Sequence, residues 1–255
     1  MCIKGGKAAH HMKAASLVAA ALLIACGSCL GQDATAPQLI GDGRRVLFIG
    51  NSYLYTQDIP GIVQALADSA HGDHLAVETV AGADLALIDH WNEGTARREI
   101  AKGGWEWVVL QQGPSSVDVN RDTLRLASQL FAGAMAGHAT PALFSAWPAE
   151  ARREDFPRAI ESYTLAAADV HGLLLPVAAA WLAAWSQSPT LELYADGLHP
   201  SPEGAYLASL VIYARLLGKS PLGLPATLKL RSGALISIAP ATAVILQAAA
   251  AQVLQ

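Results

Sequence analysis

Cysteine is almost missing from this chain. Its three copies, Cys2, Cys26 and Cys29, all fall within the first 29 residues. The rest of the sequence therefore has no thiol with which to build a disulfide framework or a thiolate metal site. Cys26 and Cys29 have redox spacing, but no βαβ pattern surrounds them and they stand against an export signal. Charge is also thin, with Asp, Glu, Lys and Arg making up 15% of the residues and no basic stripe among them. That excludes nucleic acid and anionic membrane surfaces as partners. No internal repeat and no low-complexity tract beyond an alanine bias is present, which excludes a solenoid. Apolar residues dominate instead, at 53% of 255, enough for one well-packed domain.

The first segment has a different character. Lys4, Lys7 and Lys13 precede an apolar run over 14–25, the layout of a secretory signal. A permanent membrane helix needs roughly 20 apolar residues, and this run is shorter. Leu23-Ile24-Ala25-Cys26 resembles the lipobox of bacterial lipoproteins, with small residues at Gly27 and Ser28. This predicts a signal peptide over 1–26, lipidation at Cys26, a tether over 27–43 and a domain over 44–255. The expected location is the periplasm or cell surface, with membrane attachment only through the lipid. Ordinary cleavage near Gly31 and free secretion is the alternative. Removing the signal takes away three lysines and no acid, so net charge moves from −4 to −7.

Beyond the tether the pattern alternates. Strands are expected at 46–49, 75–80, 105–110, 142–145 and 172–177, and helices at 59–70, 121–137, 155–170, 202–217 and 241–254. A short helix carrying Trp181 and Trp185 follows the fifth strand. Such alternation implies right-handed crossovers and a mostly parallel sheet covered on both faces, hence a three-layer α/β/α fold with five strands. Ligands in such folds bind beyond the carboxyl ends of the strands.

Two strand-end motifs carry chemistry. Val46-Leu47-Phe48-Ile49 stops at Gly50-Asn51-Ser52, handing a serine to a loop. Asp196-Gly197-Leu198-His199-Pro200 places a carboxylate and an imidazole three residues apart in a turn. A serine hydroxyl needs a base to take its proton, and the base needs a partner to fix its tautomer. Alone, Ser52 reads as a helix cap and Asp196-x-x-His199 as a structural turn. Together, in this order and at opposite ends of an α/β pattern, they read as nucleophile, base and acid.

These residues resemble the sequence blocks of the SGNH/GDSL-type hydrolases, a flavodoxin-like serine esterase superfamily. Residues 46–52 resemble the nucleophile block, with Asn51 where many members carry Asp. Gly82, in Val80-Ala81-Gly82-Ala83, resembles the glycine block, and residues 196–201 the final block. The resemblance implies Ser52 as nucleophile, His199 as base and Asp196 as its partner. It implies the Ser52 and Gly82 N–H groups as oxyanion donors, no metal or organic cofactor, and a small-molecule or carbohydrate ester as substrate. The third block departs from the family's G-x-N-D. Here the chain reads Leu110-Gln111-Gln112-Gly113-Pro114-Ser115, similar to a bacterial branch with V-V-L-Q. Gln111 is the first choice for the third donor, with Gln112 and Ser115 as alternatives. A non-catalytic glycan- or partner-binding protein on this fold is the rival reading, motivated by that departure.

Other features have simpler readings. His71-Gly72-Asp73-His74 has metal-ligand residue types but no third ligand, and reads as a solvated turn. His90, His138 and His171 read as caps or surface residues near helix ends. Trp181 and Trp185 read mainly as core, while Trp147 and Trp181, with Asn51, are candidates to line the substrate pocket. Residues 150–155 are a charge run at a solvated helix start.

Overall fold

The computed structural model describes residues 44–70 and 74–255. The signal, the lipobox with Cys26 and the tether lie outside the described residues, as do His71, Gly72 and Asp73. All described residues fall in one compact unit.

The sheet is built around β1 (Arg44–Gly50), whose Val46, Leu47, Phe48 and Ile49 have no exposed surface. A strand covered on both faces needs a continuous apolar run rather than alternation. It pairs with β2 (Leu75–Ala81) on one side and β3 (Trp107–Leu110) on the other. β4 (Thr140–Phe144) and β5 (Leu173–Leu175) extend the sheet, giving the order β2-β1-β3-β4-β5 with every pairing parallel. The chain thus steps one way from β1 to β2 and the other way from β3 onward. With right-handed crossovers, that reversal puts the first connecting helix on one face and the later ones on the other.

The helices divide accordingly. α1 is a single turn (Ser52–Tyr55) and α2 spans Ile59–Ser69. α3 (Leu87–Glu93) and α4 (Thr95–Ala101) make the β2–β3 crossover, α5 (Asp118–Met135) the next, and α6 (Phe156–Asp169) the one after. α7 (Val177–Gln187), α8 (Pro202–Leu217) and α9 (Pro240–Gln252) complete the set. α2, α7, α8 and α9 pack among themselves, and α3, α4, α5 and α6 do likewise. α8 is apolar on nearly all sides because α2, α7, α9 and β5 all touch it.

Two features go beyond the sequence pattern. α3 and α4 were not expected, since each has only seven residues and they turn at Gly94, with φ of 80°. A separate antiparallel hairpin pairs β6 (Thr227–Lys229) with β7 (Leu235–Ser237) ahead of α9. The charge run is a solvated 3₁₀ segment, Glu150–Asp155, leading into α6 as the sequence suggests.

Candidate active site

β1 sits where the strand order reverses, so the loop beyond Gly50 opens at a topological switch point. Asn51 caps α1 there, its Oδ1 accepting the Tyr53 N–H at 3.2 Å. Ser52 is thereby the first helical residue, and no helical carbonyl can reach its N–H. The backbone at Gly50 runs close to β3: a Cβ there would collide with Gln111 Oε1 and the Leu54 side chain. Gln111, fully buried, is bolted to the same loop. Its Oε1 accepts the Asn51 N–H at 2.9 Å, and its Nε2 donates to Asn51 Oδ1 at 3.0 Å and to the Gln112 carbonyl at 2.7 Å.

The second half comes from the turn before α8. Ser201 caps α8, accepting the Gly204 N–H at 3.1 Å, and Gly197 supplies a φ of 82°. The Ala195 N–H bonds the His199 carbonyl at 2.9 Å, closing the turn. Within it, Asp196 Oδ1 accepts the Leu198 and His199 N–H groups at 3.0 and 2.7 Å, and Oδ2 meets His199 Nδ1 at 2.7 Å. The bond from the His199 ring, then the two amides, hold the Asp196 carboxyl down to about 2. His199 Nε2 lies 3.0 Å from Ser52 Oγ, joining residues 147 apart in sequence. Asp196, His199 and Ser52 therefore form one hydrogen-bonded relay.

A cavity of about 290 Å³ opens beside Ser52. Asn51, Asp84, Gln112, Ser115, Asn120 and Thr123 bring polar groups to it, while Leu85, Pro114 and Leu198 supply apolar surface. Asp84 and Ser115 hold left-handed backbone conformations, φ 58° and 56°. Non-glycine residues adopt these at a cost on the order of 1 kcal/mol, and they cluster at functional sites.

Several sequence expectations need correction. Gln111 is not at the cavity, because its amide is spent on Asn51 and Gln112 in the core. Gln112 and Ser115 do line it, bonded to each other at 2.8 Å, with Gln112 Oε1 accepting the Leu87 N–H at 3.1 Å. The Gly82 N–H donates to the Gly50 carbonyl at 3.2 Å, continuing the sheet, and the cavity wall begins two residues later. Trp147 and Trp181 line no cavity near Ser52, so the core reading of Trp181 holds and the pocket-lining one does not. They are fully buried and stacked on each other, centroids 4.2 Å apart. Asn51 does line it. Asp84, Leu85, Asn120 and Thr123 were not foreseen, because they sit outside the motif blocks and reach the cavity only through chain folding. Leu198 lies inside the D-x-x-H block, but nothing in the block marked it as a cavity residue.

His90 is no surface residue. It is 1% exposed, with Nε2 at 2.7 Å from the Gly50 carbonyl. His138 and His171 are exposed, and His74 pairs with Asp68 at 3.2 Å. Among the described residues no three His, Cys, Asp or Glu side chains converge as a metal site.

Comparison with known proteins places this geometry in context. No family model matches the chain, and no curated protein matches it. Solved structures do. An SGNH-hydrolase candidate from Slackia heliotrinireducens superposes with a TM-score of 0.59 at 28% identity, covering 68% of this chain and 99% of that one. A DUF4886 family protein from Bacteroides uniformis reaches 0.72 at 14% identity, over 84% of this chain and 95% of that one. An acetylxylan esterase from Geobacillus stearothermophilus reaches 0.51 at 16% identity, over 73% and 97%. The catalytic mutants of that esterase replace a serine, an aspartate and a histidine. SGNH/GDSL-like hydrolases are among the structural neighbours of this chain, and its five-stranded parallel α/β/α fold matches theirs.

Proposed function

We propose that this chain, folded as the SGNH hydrolases are, is a serine ester hydrolase that works through an acyl-enzyme on Ser52. The observation that carries the reading is the relay: Ser52 Oγ 3.0 Å from His199 Nε2, and His199 Nδ1 2.7 Å from Asp196 Oδ2, at the switch point of the sheet. Ser52 Oγ attacks the ester carbon while His199 Nε2 takes its proton. The tetrahedral intermediate collapses, His199 gives that proton to the departing alcohol, and an acyl-serine remains. Water then attacks the acyl carbon, its proton passing to His199, and the acid leaves as Ser52 recovers a proton. Asp196 stays ionised throughout and stabilises the imidazolium. The Ser52 N–H is the first oxyanion donor, free of any helical partner.

The cavity's small volume and its mixture of polar and apolar groups suit a small ester, and we infer acetylated carbohydrate as the substrate class by analogy with the acetylxylan esterase neighbour. The test is hydrolysis of p-nitrophenyl acetate, butyrate and octanoate by the protein without residues 1–26, beside Ser52→Ala. Loss of activity in the variant, with acetate preferred, is the expected result. Equal activity in both proteins would remove Ser52 from the mechanism.

A second reading, a binding protein on a hydrolase fold, is favoured by one observation: the Gln111 amide is not available as an oxyanion donor. Covalent labelling by a fluorophosphonate separates the two, since a binder reacts poorly at Ser52 and an esterase reacts readily. We propose further that the protein is exported and lipidated at Cys26, on the strength of its N-terminal sequence. Incorporation of a palmitate analogue that disappears in Cys26→Ser is the expected outcome; unchanged incorporation would leave a freely secreted protein.

A further inference from the structure

Local bonds within the turn fix His199 relative to Asp196, but they do not fix either relative to Ser52. The turn is a surface feature, with Asp196 exposed and a left-handed glycine beside it. A 3.0 Å separation across 147 residues of chain needs a group in contact with both segments. Trp147, just beyond β4, is such a group. Its ring stacks on Tyr53, the residue after Ser52, with centroids 4.9 Å apart and planes 3° apart. Its indole N–H donates to the carbonyl of Leu198, the residue before His199, at 3.0 Å. Tyr53 meets the His199 ring edge-on at 6.2 Å. The segment that Trp147 begins grips the turn twice more: the Glu150 N–H donates to the Gly197 carbonyl at 2.7 Å, and the Tyr194 hydroxyl donates to the Pro148 carbonyl at 2.6 Å.

We propose that Trp147 is a positioning residue that sets the Ser52–His199 separation by bracing the nucleophile segment against the base turn. It is fully buried and lines no substrate cavity, so it acts through its neighbours. The inference rests on the reading of Ser52 as nucleophile, but its geometry has its own test. The fold supplies a control one ring deeper. Trp181 stacks on the far face of Trp147, is equally buried, and its indole N–H has no partner. Trp181→Phe therefore removes the same atoms from the same core and breaks no hydrogen bond to the turn, which it meets through an edge-on ring contact with Tyr194.

The experiment compares the protein with Trp147→Phe, Trp181→Phe and Glu150→Pro. Proline is tolerated at the first position of a helical segment, so the last variant deletes the bond to Gly197 without opening the core. Trp147→Phe is expected to lower kcat on p-nitrophenyl acetate about tenfold with KM within about twofold. Trp181→Phe should lose as much Tm but keep kcat within about twofold. Glu150→Pro should lower kcat with little change in Tm, which keeps the idea testable if Trp147→Phe does not fold. Full kcat in Trp147→Phe, or equal kcat losses in both tryptophan variants, would overturn it. If the unaltered protein neither hydrolyses esters nor takes up a fluorophosphonate, the nucleophile reading fails on its own. Proton NMR of the His199 Nδ1–H then decides the positioning: a signal kept in Trp181→Phe and broadened in Trp147→Phe supports it, and identical signals in both sink it.

Discussion

At the scale of single residues, Asn51 is where β1 and β3 grip the loop that carries Ser52. Its N–H and Oδ1 both bond the Gln111 amide, and the same Oδ1 caps α1. Gln111→Leu keeps the volume but strands several buried polar groups, each costing about 1–3 kcal/mol. A loss of about 2 kcal/mol is expected, and with it a Tm lower by roughly 4–8 °C for a chain of this size. Calorimetry checks this. An unchanged Tm with a hundredfold fall in kcat would instead return Gln111 to the oxyanion hole. Gly50→Ala should act from the other side of that contact, its new Cβ forcing the Gln111 amide and Leu54 aside. With Ser52 as the proposed nucleophile, a fall in kcat of about tenfold or more is expected, since small displacements of a reacting group are costly. The position of Gln111 at a strand end was legible, but its partners were not. An amide side chain reads the same in sequence whether it faces a ligand or a neighbouring loop.

At the scale of elements, the turn from Asp196 to His199 is held by three bonds to one carboxylate. They lower the Asp196 pKa to about 2 in the folded protein. An unfolded aspartate titrates near 4, so this stabilisation is fully present above about pH 4 and is lost as pH falls through about 2. The Tm difference between the protein and Asp196→Asn should therefore be largest above pH 4 and shrink toward pH 2. A difference independent of pH would mean that the amides, not the charge, hold the turn. His90 shows a different limit. In α3 it looks like a helix-end histidine, and only the packing of the β2–β3 crossover against β1 buries it beside Gly50. Seven-residue helices such as α3 and α4 leave too few turns for periodicity to register.

At the scale of the molecule, the strand that leads into Ser52 also carries the most deeply buried run of the sheet. Phe48 lies in mid-β1 without exposed surface. Phe48→Ala should cost about 3–5 kcal/mol from lost burial and the cavity left behind, lowering Tm by roughly 6–20 °C. A chemical-denaturation loss under 1 kcal/mol would contradict the two-sided burial of β1. Sequence alone determined the α/β class, the five strands and the three residues of the relay, because apolar periodicity and strand-end motifs are local and survive being read one residue at a time. The tertiary structure alone decided what surrounds them. It turned Gln111 inward, took the Gly82 N–H into the sheet, buried His90 and Trp147, and brought Asp84, Asn120 and Thr123 to the cavity. Each of those outcomes depends on which distant segment a side chain meets, and strand order and crossover packing settle that only once the chain is folded.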